Sequence, residues 1–469
     1  MRALDEVIKA YDVRGVYPDQ LDEELAHLIG RACVEVLGLR AADAGTGAMI
    51  VGRDMRPSGP ALVEAFARGV TEAGVDVIDI GLCSTDGLYF ASGRLGHAGA
   101  MFTASHNPAQ YNGIKLCAPG AVPVGRDTGL AQISDFCAAA LAEGASAAPA
   151  DTEPVAPGSI SAVNLLGDYA VFLRSLVPGL DTIRELSVVV DAGNGMAGLT
   201  APAVLGPLPL QVTEMYYELD GTFPNHEANP IDPANLVDLQ AKVLEVGADL
   251  GLAFDGDADR CFAVDQAGEL ISPSSLTALI AVQELQRHPG ATVIHNLITS
   301  AAVPEIIVEN GGVPVRTRVG HSFIKATMAE TGAVFGGEHS GHFYFQDFWR
   351  ADSGMLAALH LIAALGNAPI GTTVADLLAP YNRYVSSGEI NSTVADGPAA
   401  TAAVREAFAP ETTSIDELDG LTMTGESWWF NVRPSNTEPL LRLNVEHQDE
   451  ESMAELRDRV LAVIRSHSA

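Results

Sequence analysis

Three apolar strands, each running straight into a polar turn, constrain this chain more than any other feature. Ala48 to Val51 leads into Gly52-Arg53-Asp54, Leu186 to Val190 into Asp191-Ala192-Gly193, and Thr292 to His295 into Asn296-Leu297. A buried strand, a turn and an apolar helix form the repeating unit of α/β domains with parallel or mixed sheets. Pro60 to Ala73 is the expected helix after the first opening, and a long apolar helix around Met355 to Leu365 closes the third unit. Further strands are expected at Val75 to Ile80, Ala98 to Phe102 and Leu250 to Phe254, with a helix starting near Thr85. The openings are alike in pattern, without a strict repeat.

The tail is different: strand Trp428 to Asn431, a polar loop, strand Leu440 to Val445, then a helix from about Glu450. Met453, Leu456, Val460, Val463 and Ile464 give that helix one apolar stripe. A chain of 469 residues is too long for one core. The expected fold is therefore three related α/β domains (1–150, 151–265 and 266–376) and a smaller C-terminal α+β domain (377–469). The tract from Ala138 to Pro157, rich in Ala, Pro, Ser and Gly, reads as the exit from the first domain.

Charge and cysteine usage exclude several classes of function. A net charge of −33 argues against a nucleic-acid partner, which needs a basic face. No uninterrupted apolar segment approaches the roughly 18 residues that span a bilayer, so no membrane partner is expected. Acids at Asp5 and Glu6 stand where a secretion signal would be apolar, and the expected location is cytoplasmic. Five cysteines, odd in number and unpaired in spacing, suit free thiols in a reducing compartment.

Two strings carry chemistry. Asp255-Gly256-Asp257-Ala258-Asp259-Arg260 follows an apolar strand, and its three carboxylates converge only if the loop curls, which Gly256 permits. They would repel one another without a cation; Mg²⁺ suits such hard oxygen donors. An EF-hand fails, because Arg260 stands where its glycine is required and Gln266 where its glutamate is. The second string, Thr103-Ala104-Ser105-His106-Asn107-Pro108 with Asn112-Gly113-Ile114-Lys115 behind it, sets a serine, an imidazole and a lysine close together. Such a serine can carry a covalent group if a base activates it and a cation neutralises the charge gained.

Two later strings suit a sugar phosphate. In Gly337-Glu338-His339-Ser340-Gly341-His342 a carboxylate and a hydroxyl two residues apart can bracket vicinal sugar hydroxyls. Arg433-Pro434-Ser435-Asn436-Thr437-Glu438-Pro439 sets one cation and three short hydrogen-bonding side chains in a turn that can wrap a phosphate. Zinc at His339 and His342 lacks a third ligand at any usual spacing. Gly193-Asn194-Gly195-Met196-Ala197-Gly198, with Glu218 beyond it, spells a dinucleotide fingerprint. A nicotinamide-dependent oxidoreductase is disfavoured, because it leaves the acidic loop, the serine string and the arginine turn without roles.

These strings, with Tyr11-Asp12-Val13-Arg14-Gly15 and Gly320-His321-Ser322-Phe323-Ile324-Lys325, resemble in content and order those of the α-D-phosphohexomutases, the phosphomannomutase/phosphoglucomutase superfamily. The resemblance runs from Tyr11 to Pro439 and implies four domains around a central cleft. It implies that Ser105 is the phosphoserine and completes the site of an Mg²⁺ held by Asp255, Asp257 and Asp259. Lys115 is then the general acid/base, its pKa lowered by burial near Mg²⁺ and arginines, while His106 orients the loop and Arg14 and Arg260 face the reacting phosphoryl group. His321, Lys325, Glu338 and Ser340 would meet the sugar, although Lys325 also reads as an exposed helix residue. Arg433, Ser435, Asn436 and Thr437 would hold the other phosphate.

The implied reaction exchanges phosphate between C1 and C6 of a hexose through a hexose 1,6-bisphosphate, which also serves as activator. The last domain would close over the substrate. His295-Asn296-Leu297-Ile298 stands where many bacterial members carry a lysine, and His339 where phosphoglucosamine mutases carry glutamine. Mannose phosphate is the expected substrate and glucose phosphate the alternative. The protein is expected to be a monomer or homodimer whose partner is the small phosphosugar.

Overall fold

The computed structural model describes residues 4–40, 47–143, 155–434 and 440–467. The chain divides into two compact units, one of Met1–Ile271 with Ser340–Ala375 and one of Ser272–His339 with Asp376–Ala469.

The first unit contains a seven-stranded mixed sheet. Its path runs Val13–Val16, Tyr111–Ala118, Ala98–Phe102, Ala48–Arg53, Asp76–Leu82, Ile160–Ala162, with Val122–Pro123 pairing off Tyr111–Ala118. Ala48–Arg53 pairs in parallel with both its neighbours, and every residue of Ala98–Phe102 is buried. That is why these strands read as unbroken apolar runs rather than alternating ones. Helices Glu23–Val36 and Gly59–Glu72 meet across glycine: a Cβ on Gly69 would lie 2.1 Å from the His27 carbonyl oxygen. Phe66 on the second helix packs edge-on to Phe102 with centroids 5.4 Å apart, so Phe66→Ala would cost about 3–5 kcal/mol.

This sheet sets out the serine string. Phe102 ends its strand immediately before Thr103, and Tyr111–Ala118 returns antiparallel with Lys115 opposite Met101. Val13–Val16 pairs with the outer edge of that returning strand and sets Arg14 opposite Gly113.

A second sheet in the same unit has the order Leu270–Ile271, Cys261–Asp265, Leu250–Phe254, Leu186–Asp191, Leu210–Met215. Phe254 pairs with Cys261, so the acidic string is the connection of an antiparallel hairpin with both ends pinned. Segment Ser340–Ala375 adds the hairpin Phe343–Phe345 with Ala351–Asp352 and the helix Gly354–Asn367, capped by Ser353. Buried Asp86, in the first turn of helix Thr85–Leu95, accepts hydrogen bonds from Tyr169 at 2.8 Å and Ser353 at 2.6 Å. Three distant segments thus meet at one carboxyl, whose pKa burial pushes up to about 6.

In the second unit, Thr292–Asn296 runs parallel to Val313–Thr317 and Phe335–Gly337. An antiparallel five-stranded sheet follows, in the order Val385–Thr393, Leu440–His447, Trp428–Pro434, Leu421–Thr424, Ser414–Asp416. Helices Gly397–Phe408 and Glu450–Arg465 contribute Val404, Phe408, Met453, Leu456, Val460, Leu461 and Ile464 to its core, an α+β arrangement.

One expectation is corrected here. The tract from Ala138 begins as helix, because Ala138 to Glu143 complete Leu130–Glu143; its alanines extend the helix rather than break it. Residues 144–154 of that tract lie outside the described residues.

Candidate active site

Ser105 follows the buried strand Ala98–Phe102 and adopts φ +50, a left-handed conformation uncommon for a residue with a side chain. Its N–H donates to Thr103 Oγ1 at 2.8 Å. Its hydroxyl donates to Asp255 Oδ2 at 2.7 Å and accepts from Arg260 Nη2 at 2.9 Å. His106 Nδ1 stands 3.3 Å from the same hydroxyl and also faces Arg260 Nη2. Burial, then the charges of Arg260 and Arg14, pull the His106 pKa down to about 2, so the ring is neutral and a poor proton acceptor. The hydroxyl of Ser105 is thus held between a carboxylate and a guanidinium.

The acidic hairpin turn brings the carboxylate oxygens of Asp255, Asp257 and Asp259 within 4.8 Å of one another, all three side chains buried. Arg260 spans Asp255, its main-chain N–H donating to Oδ1 at 3.1 Å and its Nε to Oδ2 at 2.9 Å. Asp257 Oδ2 accepts from Thr85 Oγ1 at 2.6 Å and from Lys115 Nζ at 2.7 Å, and Asp259 Oδ2 accepts from Lys115 at 2.6 Å. Asp257 Oδ1 and Asp259 Oδ1 are buried without a hydrogen-bond partner. Orphaned, buried carboxylate oxygens of one cluster fit a hard divalent cation such as Mg²⁺, since burying them unpaired is costly. Burial and the neighbouring Asp259 and Asp257 raise the Asp255 pKa despite Arg260, which marks the same excess of negative charge.

The turn curls for a different reason from the one read in the sequence. The left-handed residue is Ala258, at φ +58. Gly256 is needed for space: a Cβ there would lie 2.5 Å from the Ser105 carbonyl oxygen. The glycine-rich 193–198 turn serves the same packing, because a Cβ on Gly195 would lie 2.7 Å from Gly256 O. Its amides are engaged within the protein, Gly193 N with Asp191 Oδ1, Asn194 N with Tyr216 O and Met196 N with Gly256 O. None of those three N–H groups is left for a pyrophosphate, which accounts for a fingerprint without a nucleotide role.

Burial lowers the Lys115 pKa, while Asp257 and Asp259, at 2.7 and 2.6 Å, outweigh burial and raise it. Arg14 joins Asn107 Oδ1 to Asp12 Oδ2 and orients the serine loop through Asn107. His342, at the end of the Gly337–His342 string, brings Nε2 to 3.6 Å from Asp259 Oδ1, while its Nδ1 meets Ser340 Oγ at 2.9 Å. With Asp352 it forms a second three-residue group able to hold a metal. No third ligand stands nearby in the sequence, but the fold brings Asp259 and Asp352 to His342.

The second unit gathers its own candidates. Glu338, just past strand Phe335–Gly337, is buried and its Oε1 accepts from Asn296 Nδ2 at 3.3 Å and Gly320 N at 3.1 Å. Three strings therefore converge at the carboxyl ends of parallel strands, where α/β sheets bind ligands. Helix His321–Thr331 starts beside that point, and Lys325 on it is 4% exposed rather than a surface residue.

Arg433 donates to Glu389 Oε2 at 2.6 Å. Arg442 pairs directly opposite Arg433 in the sheet and reaches Glu389 Oε1 at 3.3 Å. Two like charges set face to face destabilise a sheet, and Glu389 offsets this pair. Arg433 Nε and Arg442 Nε are buried without a hydrogen-bond partner. Ser435, Asn436 and Thr437 lie outside the described residues. Thr85 and Arg442 had no local signal in the sequence, whereas His342 stood in plain sight in its string.

Comparison with known proteins covers nearly the whole chain. Family models described as phosphoglucomutase/phosphomannomutase match in four successive parts: alpha/beta/alpha domain I at residues 5–141, domain II at 170–268, domain III at 272–384 and the C-terminal domain at 389–463. A protein named phosphohexose mutases from Xanthomonas campestris pv. campestris is 41% identical, covering 97% of this chain and 98% of its own. A phosphomannomutase from Salmonella typhimurium is 39% identical, with 97% and 98% covered. A solved phosphoglucomutase/phosphomannomutase family protein from Burkholderia thailandensis superposes with TM-score 0.84 at 32% identity, over 99% of this chain and 98% of its own.

Proposed function

This chain belongs to the phosphoglucomutase/phosphomannomutase family and is a phosphohexomutase; we propose that it interconverts mannose 6-phosphate and mannose 1-phosphate through a phosphoserine at Ser105. The observation that carries the reading is the Ser105 hydroxyl held between Asp255 Oδ2 and Arg260 Nη2 beside a three-carboxylate cluster. Asp255, Asp257, Asp259 and the Ser105 oxygen would hold Mg²⁺, which supplies charge neutralisation for the transferring phosphoryl group.

The remaining work falls to the side chains. In the first half-reaction the phosphoryl group leaves Ser105 Oγ for a sugar hydroxyl, and one proton must pass from that hydroxyl to Ser105 Oγ. Lys115, the general acid/base in this reading, gives its proton to the leaving Ser105 oxygen and regains one from the sugar hydroxyl. Arg260, already on the hydroxyl, follows the oxygen as charge develops. The hexose 1,6-bisphosphate then turns end for end, and Ser105 takes back the other phosphate. The same bisphosphate, supplied as activator, primes an unphosphorylated Ser105.

Glu338 and Ser340 contact sugar hydroxyls in this reading, and Arg433 and Arg442 hold the phosphate that is not reacting, their buried Nε groups supporting that role. The four divisions 1–150, 151–265, 266–376 and 377–469 serve as its domains. Mannose is favoured because relatives at 38–39% identity over nearly the full chain are named phosphomannomutase. A relative at 37% identity named phosphomannomutase/phosphoglucomutase supports dual specificity as the second reading.

Assay of kcat/KM with mannose, glucose and glucosamine 1-phosphates, each with Mg²⁺ and bisphosphate, tests the proposal. A mannose preference of about tenfold, about 1.4 kcal/mol of discrimination, is expected. Equal rates on mannose and glucose would establish dual specificity, and turnover of glucosamine 1-phosphate alone would overturn the assignment.

A further inference from the structure

Arg56 stands two residues beyond the turn Gly52-Arg53-Asp54 and, among the described residues, hydrogen-bonds to no side chain assigned to the reaction. It is 1% exposed. Its Nε donates to Asp54 Oδ2 at 3.1 Å, its Nη1 to the carbonyl oxygens of Pro108 at 2.8 Å and Tyr111 at 2.9 Å, and its Nη2 to those of Ser105 at 2.8 Å and Asn107 at 2.6 Å. A guanidinium has five N–H donors in a planar fork, and all five are engaged here. Four of the acceptors are main-chain oxygens of the segment that carries Ser105.

The other side of Ser105 returns to the same ion pair. Its N–H donates to Thr103 Oγ1, and the Thr103 hydroxyl bonds Asp54. Asp54 is buried and its Oδ1 accepts the Arg56 main-chain N–H at 2.9 Å. The Phe223 ring lies 5.2 Å from the Arg56 guanidinium carbon. Both peptide groups of Ser105 are thereby anchored to Asp54 and Arg56, and a residue with a side chain holds φ +50 only when its surroundings impose it.

We propose that Arg56, with Asp54 and Thr103, is a positioning group that holds the Ser105 backbone fixed while the side chain alternates between hydroxyl and phosphate. The proposal rests on Ser105 as the phosphoryl carrier. Phosphorylation adds about −1.5 to −2 charge to Ser105, directly beside Asp255, and free peptide groups would let the loop swing away from the repelling carboxylates. Arg56 has no donor left for the reacting oxygen, so it acts through the backbone alone. Its loss therefore appears in the rate of transfer and not in the binding of sugar phosphate.

Arg56→Lys keeps the charge beside Asp54 but has three donors in place of five. A misplacement of about 1 Å in a phosphoryl-transfer site costs roughly 10²-fold, so kcat should fall by about that factor, with KM for the hexose phosphate changed less than about twofold. Amide hydrogen exchange of residues 104–107 should quicken. Thr103→Val removes the hydroxyl that links the Ser105 N–H to Asp54, with near-identical shape and the four Arg56 bonds to the main chain left in place, and should give a smaller fall in kcat at unchanged KM; it decides the matter should Arg56→Lys not fold. Parental kcat in the folded variant, or a loss confined to KM, overturns the proposal. Ser105→Ala is run alongside: if it turns over, the carrier reading itself falls, whereas an inactive Ser105→Ala beside a fully active Arg56→Lys sinks the positioning role alone.

Discussion

Gly256 packs directly against the carbonyl oxygen of Ser105, so close that a Cβ at 256 would come within 2.5 Å of it. The turn bearing the carboxylates and the turn bearing the serine are therefore in backbone contact, which sets the distance from Ser105 Oγ to Asp255. Gly256→Ala forces them apart and should cost about 1–3 kcal/mol of stability, with a larger proportional loss of kcat. Ala258→Gly, two residues on at φ +58, relieves backbone strain and should be neutral or stabilising by up to about 1 kcal/mol. Denaturant melts of both variants check the opposite signs.

The orphaned Oδ1 atoms of Asp257 and Asp259 predict dependence on a divalent cation. Removal by a chelator should abolish turnover, and Mg²⁺ should restore it. Asp257→Asn should raise the Mg²⁺ concentration needed for half-activity at least tenfold, about 1.4 kcal/mol, read from a titration of rate against Mg²⁺.

Arg433→Ala and Arg442→Ala should each raise KM by roughly ten- to a hundredfold, the worth of one charge-assisted hydrogen bond of about 1.5–3 kcal/mol, with little change in kcat. Steady-state kinetics on the hexose phosphate check this. Equal losses in kcat and kcat/KM would place the arginines at the reacting phosphate instead.

His226 gives a pH signature away from the chemistry. Its Nε2 lies 2.9 Å from Asp191 Oδ2, with Tyr216 edge-on at 5.3 Å. Burial lowers its pKa, but the bond and charge of Asp191, then the Glu227 carbonyl and the charge of Asp238, raise it above 6.5. A raised folded value means the protonated form is bound more tightly in the fold, so the stabilisation is full below about pH 6.5 and fades as pH climbs through the raised value. The Tm difference between the parent and His226→Gln should be largest near pH 5.5 and smallest near pH 8.5, roughly the range over which histidine titrates.

What was legible in the sequence was local. The strand Ala98–Phe102, the helix start at Thr85 and the strand Leu250–Phe254 are sharp because apolar runs end in turn residues. The serine and acidic strings carry their chemistry in contiguous residues and could be read as such. What stayed hidden depends on partners far along the chain: Thr85 meets Asp257 across 172 positions, and Arg56 meets Ser105 across 49. The pairing of Lys115 with Asp257 and Asp259 is hidden in the same way, since 142 and 144 positions separate them. Lys325 illustrates the same limit, since a lysine on a helix carries no mark of being buried.

A rapid-quench experiment decides whether Ser105 carries the transferred phosphate. The enzyme is labelled with radioactive hexose 1,6-bisphosphate, freed of excess label, and mixed with unlabelled mannose 6-phosphate and Mg²⁺. Label is expected on the peptide containing Ser105, absent from Ser105→Ala, and should pass to sugar within the first turnover at a rate no slower than kcat. Label that stays on the protein through many turnovers, or a Ser105→Ala enzyme that turns over normally, would contradict that role.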